Sequence, residues 1–267
     1  LVFFRMNPDA YEHVRIGDHT FDIPADPEVF AERMCKRFPK EAKRIRKYLQ
    51  LIRNVSEQLY SLPYFKGFWQ KLTIPYKTRH FGKYGLFNLR RVINWHIKDP
   101  LVKNILNIQC GDHGVQPRKV AFVLHAALMF HYFYGGYYPM GGGGALIKAM
   151  TKAVKKYDGE IWTSNGVKKI LLEGNGQKKA VGVELDNGKQ LFADHIISNA
   201  DVGITYNQLI GREHLSQKLQ KKLEKTKYSC TSLMLFLVVD MDVRQAGLDS
   251  GNIWMMPDKD ADTYYDK

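Results

Sequence analysis

The sequence predicts an α/β chain of the mixed α+β kind, helix-rich in its first half and strand-rich after its middle. Three observations carry this. Helix-start signals recur between residues 26 and 117, the glycine run Gly141–Gly144 interrupts the helical pattern, and two hairpin signals follow it, Gly174-Asn175-Gly176 and Asp186-Asn187-Gly188. The expected division is 1–136, mostly helical after an N-terminal hairpin; 137–212, a helix plus a β-meander; and 213–267, a return to the sheet of the first part.

In order, Leu1–Phe4 is a short apolar strand candidate, and residues 11–16 and 19–23 alternate around Gly17-Asp18 as a hairpin does. Asp26-Pro27-Glu28 starts a helix with a capping carboxylate, a proline at the first position and an acid in the first turn. A second helix over 41–60 turns Ile45, Leu49, Ile52 and Val55 inward and leaves Lys43, Arg44, Arg46, Lys47 and Arg53 outside, the pattern of a solvated face. Residues 92–110 continue as helix, re-started by Asp99-Pro100, and 111–114 form a loop. Asp112 and His113 in that loop are candidates for acid–base work, although surface loop residues are the default. Residues 120–134 are apolar nearly all round, as a buried helix is, with His125 and His131 six apart and off a common stripe.

Glycines at 141–144 disfavour helix interior and permit close approach of the main chain to a partner. From Ala145 a helix runs to Lys156, with Ala145, Ile147, Met150 and Val154 as its apolar side. Strands are expected at 160–163, 167–172, 180–185 and 190–192, followed by a buried one at 193–198. A short helix near 201–209, a lysine-rich amphipathic helix over 215–226, and strands at 230–240 and from 248 complete the reading.

The net charge is +13, from 40 Lys and Arg against 27 Asp and Glu. That favours anionic partners such as nucleic acid or an anionic membrane, and it also fits a merely solvated basic surface. The basic surface gains detail at 64–91. There Tyr64, Phe65, Phe68, Trp69, Tyr76, Phe81, Tyr84 and Phe87 interleave with Lys66, Lys71, Lys77, Arg79, Lys83, Arg90 and Arg91. Rings and cations together suit a membrane interface or a helical cap with buried rings; single-stranded nucleic acid ranks third, because no nucleic-acid-binding motif accompanies the charge. Cys35, Cys110 and Cys230 are too few and too scattered for a disulfide framework, and with no C-x-x-C pair no metal site is expected. No signal peptide and no apolar run long enough to span a bilayer is present, so a peripheral-membrane or cytoplasmic location is expected.

One stretch carries a resemblance. The turn at Pro139–Gly142, the helix ending at Asp158-Gly159, the Val167…Ile170 strand, the hairpin, and Gly182-Val183-Glu184-Leu185-Asp186-Asn187-Gly188 running on to Ala193-Asp194-His195-Ile196-Ile197-Ser198-Asn199-Ala200 resemble the phytoene desaturase-like FAD-dependent oxidoreductases. That family includes carotenoid isomerases and all-trans-retinol 13,14-reductases, and the amine oxidases are its relatives. Asp22–Pro27, Arg37-Phe38-Pro39 and Ser250–Trp254 extend the likeness. The resemblance implies that 137–212 is part of a FAD/NAD(P)-binding fold, paired with a helix-rich, mixed-sheet substrate domain. It implies FAD as cofactor, with NAD(P) as a candidate electron partner, and a polyene or other apolar lipid as substrate. It implies flavin contacts from Val167, Ser198, Asn199, Ala200, Gly141 and Gly142. A substrate channel is implied along His131, Tyr132, Tyr134, Tyr137, Tyr138 and Met140. The reaction would desaturate, saturate or isomerise a C–C or C=C bond. The family's G-x-G-x-x-G turn is not among these residues, so the expected identity is the central part of such an enzyme. The alternative is a catalytically incompetent remnant that acts as a basic membrane-surface or lipid-binding module.

Overall fold

A computed structural model describes every residue except 65, 66, 68, 70, 71, 177, 229, 258, 259, 266 and 267. Of the basic-aromatic run, Phe65, Lys66, Phe68 and Lys71 therefore lie outside the described residues. The chain forms two compact units, one of residues 1–146 and 229–267 and one of residues 147–228.

In the first unit, β1 (Phe3–Arg5) pairs antiparallel with β4 (Tyr137–Pro139). A mixed sheet has the order β3-β2-β8: β2 (Glu12–Ile16) is antiparallel to β3 (His19–Ile23) and parallel to β8 (Asn252–Met256). The hairpin forms as expected, because its alternation buries Glu12, Val14 and Ile16 on one face.

The helices that pack on this sheet begin where the sequence places caps. Asp26 accepts from the N–H groups of Glu28 and Val29 at the start of α1 (Pro27–Arg37), and α2 follows over Ala42–Ser61. Two short helices, α3 (Ile74–Lys77) and α4 (Arg79–Tyr84), lead to α5 (Leu89–His96). Asp99 caps α6 (Pro100–Leu106) in the same way, through Leu101 and Val102. Of residues 111–114, expected as loop, the first three belong to a helical turn, α7 (Cys110–His113), which Gly114 ends in the left-handed region at φ 61°. Helix α8 (Phe122–Tyr132) closes the core but is not buried all round: Phe122, His125, Ala126 and Met129 are inside, while Leu124 is 52% exposed.

Ile45, Tyr48, Ile52, Leu89, Ile93, Phe122 and Ile108 form one core with Met34, Val14 and Ile16. Burying each such side chain contributes roughly 1.5–3 kcal/mol. Tyr48 is an exception within it, because its hydroxyl is buried with no hydrogen-bond partner among the described residues. An unsatisfied hydroxyl costs free energy that a phenyl ring does not, so Tyr48→Phe should raise unfolding stability by about 1 kcal/mol in urea titrations; a loss of stability would show that the hydroxyl is bonded after all.

The division between units falls after Leu146, inside α9 (Gly142–Lys156). This helix begins at Gly142, three residues before the expected Ala145, and Ile147 and Met150 on its apolar side stay 68% and 67% exposed.

The second unit holds an antiparallel three-stranded sheet, β5 (Val167–Glu173), β6 (Lys179–Leu185) and β7 (Gln190–Phe192), in sequence order. Gly182 in the central strand has no room for a side chain, since a Cβ there would lie 2.4 Å from the Leu191 carbonyl oxygen. Asp201 caps a short helix, α10 (Val202–Ile204), which runs into a π-helical segment Thr205–Gly211 beside β5, and Ser216 caps α11 (Gln217–Glu224).

Three expected strands do not form. Residues 160–163, 193–198 and 230–240 are irregular backbone without ladder partners among the described residues. Ile197 is 93% exposed, so the run at 193–198 is not buried either. Apolar, β-branched composition makes a segment fit for a sheet, but the ladder itself needs a neighbouring strand.

Candidate functional site

The centre of interest in the first unit is an aromatic cavity of about 500 Å³. Its walls come from the end of α8 and from β4. Met6 N–H donates to the Gly136 carbonyl at 2.9 Å and Met140 N–H to the Val2 carbonyl at 2.9 Å, which lays β4 along β1. Between α8 and β4 the chain turns at Gly135, φ 86°, a conformation that suits glycine. The turn presents His131, Tyr132, Tyr134, Tyr137 and Tyr138 to one space, with Met6, Gly135, Gly136 and Asn252. Five of the six residues expected along a channel thus line one cavity; Met140, 59% exposed, does not line it. Tyr134, Tyr137 and Tyr138 are half or more exposed, so the cavity opens outward.

Behind Tyr132 lies a buried polar cluster. Tyr132 stacks on Tyr11 at 5.7 Å between ring centroids and lies beside the Asp112 carboxylate. Gln109 Nε2 donates to the Tyr11 hydroxyl at 3.2 Å and to Glu12 Oε2 at 3.3 Å. Glu12 is fully buried, its Oε1 has no partner among the described residues, and the nearby Trp254 indole N–H does not close a bond of ordinary geometry with it. Burial pushes the Glu12 carboxyl up to about 7, against the pull of Gln109. Burial likewise raises Asp112, and burial with the Asp112 charge pushes the Tyr132 hydroxyl up to about 12. A neutral acid and a tyrosine in one network can hold and pass a proton toward the cavity wall. Sequence reading missed Glu12. Its signal was the period of two that puts residue 12 on the face of Val14 and Ile16.

Asp112 and His113, neighbours in sequence, have different partners. Asp112 faces Tyr132, whereas the His113 ring meets His125 edge-on at 5.8 Å. His125 is fully buried, and burial drops it to about 4; its Nε2–H donates to the Leu106 carbonyl at 2.9 Å.

The residues expected to meet a flavin fall in both units. Gly141 and Gly142 adopt φ 83° and 68°. A Cβ would meet only Ala145 Cβ at 3.4 Å from Gly141 and only the Tyr138 hydroxyl at 3.8 Å from Gly142, and at Gly143 and Gly144 it would meet nothing within 4 Å. This turn is open main chain rather than packed backbone, which fits close approach of a flat cofactor. In the second unit Val167 stands on the edge strand β5, 39% exposed, and Ser198, Asn199 and Ala200 lie in exposed irregular chain. Ser198 Oγ bonds Thr205 Oγ1 at 2.8 Å, tying that chain to the π-helical segment. An edge strand leaves outward-facing main-chain groups for a ligand such as adenine. No helix among the described residues is long and apolar enough to cross a membrane.

Residues 113–240 match the model of the flavin containing amine oxidoreductases. Among curated proteins, the chain is 25% identical over 269 residues to an all-trans-retinol 13,14-reductase of Danio rerio, covering 95% of this chain and 44% of that protein. It is 34% identical over 150 residues to a chloroplastic prolycopene isomerase of Daucus carota (55% of this chain, 24% of that one). It is 37% identical over 106 residues to a phytoene desaturase of Neurospora crassa (38% and 18%). The chain spans less than half the length of these relatives. Its mixed helices and small sheets agree with these matches, and the chain is similar to the flavin containing amine oxidoreductases over residues 113–240 and to proteins named as retinol reductases, prolycopene isomerases and phytoene desaturases.

Proposed function

We propose that this chain is the central part of an FAD-dependent oxidoreductase that desaturates, saturates or isomerises C–C and C=C bonds of a polyene, retinoid or carotenoid in type. The observation that carries the reading is the aromatic cavity of about 500 Å³ on His131, Tyr132, Tyr134, Tyr137 and Tyr138, a short step along the chain from the open glycine turn. Burying a polyene against such walls releases about 25 cal/mol per Å² of apolar surface. Bound FAD would supply the hydride or electron transfer, with NAD(P) as a possible partner of the parent enzyme. In this proposal the open main chain of Gly141 and Gly142 approaches the cofactor. The cavity rings orient the substrate and exclude water, and Tyr132 with Asp112 and Glu12 keeps a proton behind the wall. The central-part reading also accounts for apolar side chains left in water, such as Leu233, Phe236 and Ile147, because a finished protein covers such surface.

The test uses all-trans-retinol as the probe polyene. Saturable quenching of protein fluorescence with one equivalent is expected, and no quenching would sink the polyene reading. Incubation with FAD followed by gel filtration addresses the cofactor: a yellow stoichiometric complex supports flavin binding by the chain itself.

A second reading, a basic module that binds membrane surface, rests on the exposed ring-and-cation face. Arg91 lies 4.8 Å over Phe87 and 5.2 Å over Trp95, Arg79 lies 5.7 Å over Tyr76, and Leu86 is 81% exposed. Cations there meet lipid phosphate and rings sit at headgroup depth. Sedimentation with anionic against neutral vesicles discriminates. At about 1 kcal/mol per basic residue, Arg91→Ala should weaken binding to anionic vesicles roughly fivefold; equal sedimentation with both vesicle types removes this reading.

A further inference from the structure

Helices α6, α7 and α8 bring together three side chains that the proposed reaction does not use. Cys110, His113 and His125 each offer one ligand atom, and these atoms lie within 4.8 Å of one another. Cys110 Sγ and His125 Nδ1 are 3.8 Å apart. We propose that Cys110, His113 and His125 bind one zinc ion, with a fourth position left open.

The geometry supports it in three ways. An ion about 2.3 Å from sulfur and about 2.1 Å from an imidazole nitrogen bridges a 3.8 Å gap at an angle of about 120°, close to tetrahedral. The Nε2–H of His125 is held by the Leu106 carbonyl at 2.9 Å, so Nδ1 presents its lone pair toward Cys110; metal-bound histidines are commonly fixed this way through the opposite nitrogen. His113 Nε2 is buried with no partner among the described residues, so one nitrogen of the third ligand lacks an occupation.

A thiolate with two imidazoles is a soft-to-borderline donor set, which selects zinc over magnesium or calcium. The sequence carried a weak sign of it. Cys110-x-x-His113 sits on one helical turn and His125 follows in the next helix, although the absence of any C-x-x-C had argued against a metal site.

Binding is proton-balanced. The Cys110 S–H bond breaks, its proton leaves to solvent, and a Zn–S bond takes its place. His113 joins through Nε2 with its ring proton on Nδ1. It gives up the 3.3 Å bond that Val115 N–H donates there.

The test titrates the chelator-stripped 267-residue chain with zinc alone and reads metal content, proton release and thermal midpoint. One tight equivalent and about one proton released are expected. His113→Ala and Cys110→Ser should each lower affinity at least tenfold. Because Cys110 is buried, its variant is checked for folding by circular dichroism. Cobalt added to the unmodified chain gives an independent reading, a thiolate-to-cobalt charge-transfer band. No stoichiometric uptake, uptake unchanged in His113→Ala, or a cobalt spectrum without thiolate character overturns the site. None of these readouts depends on flavin or polyene binding.

Discussion

Glu12→Gln should remove the component of this protein's stability that falls as pH rises between about pH 5 and pH 7, leaving in place the opposite slope from the buried His125, whose pKa is lowered to about 4. The Glu12 carboxyl is fully buried, and burial raises it from 4.5 to about 7. In the unfolded chain it ionises near 4.5, while in the fold it keeps its proton until near 7. Between these values the folded state binds more protons than the unfolded one, so stability falls as pH rises through that window and levels off above it. A separation of this size corresponds to about 3 kcal/mol. The groups that face Glu12 are Tyr11, Gln109, Trp254, Asp112 and Tyr132. Asp112 is itself raised by burial and adds a slope of the same sign in both proteins, so the difference between wild type and Glu12→Gln isolates residue 12. Urea titrations at pH 5 and pH 8 measure it: the stability gap between variant and wild type should move in the variant's favour by about 3 kcal/mol at the higher pH. Parallel profiles would mean that Glu12 is hydrated and that no proton is stored behind Tyr132.

The contrast between Glu12 and the features found from sequence shows where local pattern stops being informative. Asp26-Pro27 and Asp99-Pro100 start helices through bonds to residues two and three positions on, so sequence suffices to place them. The Gly17-Asp18 hairpin and the Asp186-Asn187-Gly188 turn are equally local. The aromatic run around Gly135-Gly136 is legible as one glycine-hinged apolar segment because its residues are neighbours in the chain, while its place along a channel comes only from the family resemblance. What closes it is β1, paired with β4 from more than a hundred residues away, and pairing at that distance leaves little trace in composition. The same limit explains residues 230–240, whose apolar composition promised a strand that no neighbour completes. It explains the cluster of Cys110, His113 and His125 too, where the decisive contact joins separate helices.

Gly135→Val is the sharpest test of the cavity, because two costs coincide at that position. The backbone at Gly135 has φ 86°, which an L side chain, and a β-branched one above all, adopts only under strain of about 1–2 kcal/mol. A Cβ there would also lie 2.9 Å from Ala25 Cβ, which has no rotamer to move away, and such overpacking costs about 1–3 kcal/mol. The sum, about 3 kcal/mol or more, is a large share of a domain's stability, and any variant that does fold must shift the turn joining α8 to β4 and narrow the aromatic space. Gly136→Ala is the matched control, because its Cβ would press at 2.7 Å on Met6 Sδ, within a flexible side chain that can yield. Gly143→Ala is the opposite control: nothing lies within 4 Å of its Cβ, and replacing glycine with alanine in a helix should stabilise by about 0.4–1 kcal/mol. Thermal melts combined with retinol titration therefore predict an order. Gly135→Val should lose both stability and retinol quenching, Gly136→Ala should lose little of either, and Gly143→Ala should gain stability with binding intact. If Gly135→Val instead behaved like Gly143→Ala, the left-handed turn would not hold the wall, and Tyr132, Tyr134 and Tyr138 would have no fixed geometry with which to grip a polyene.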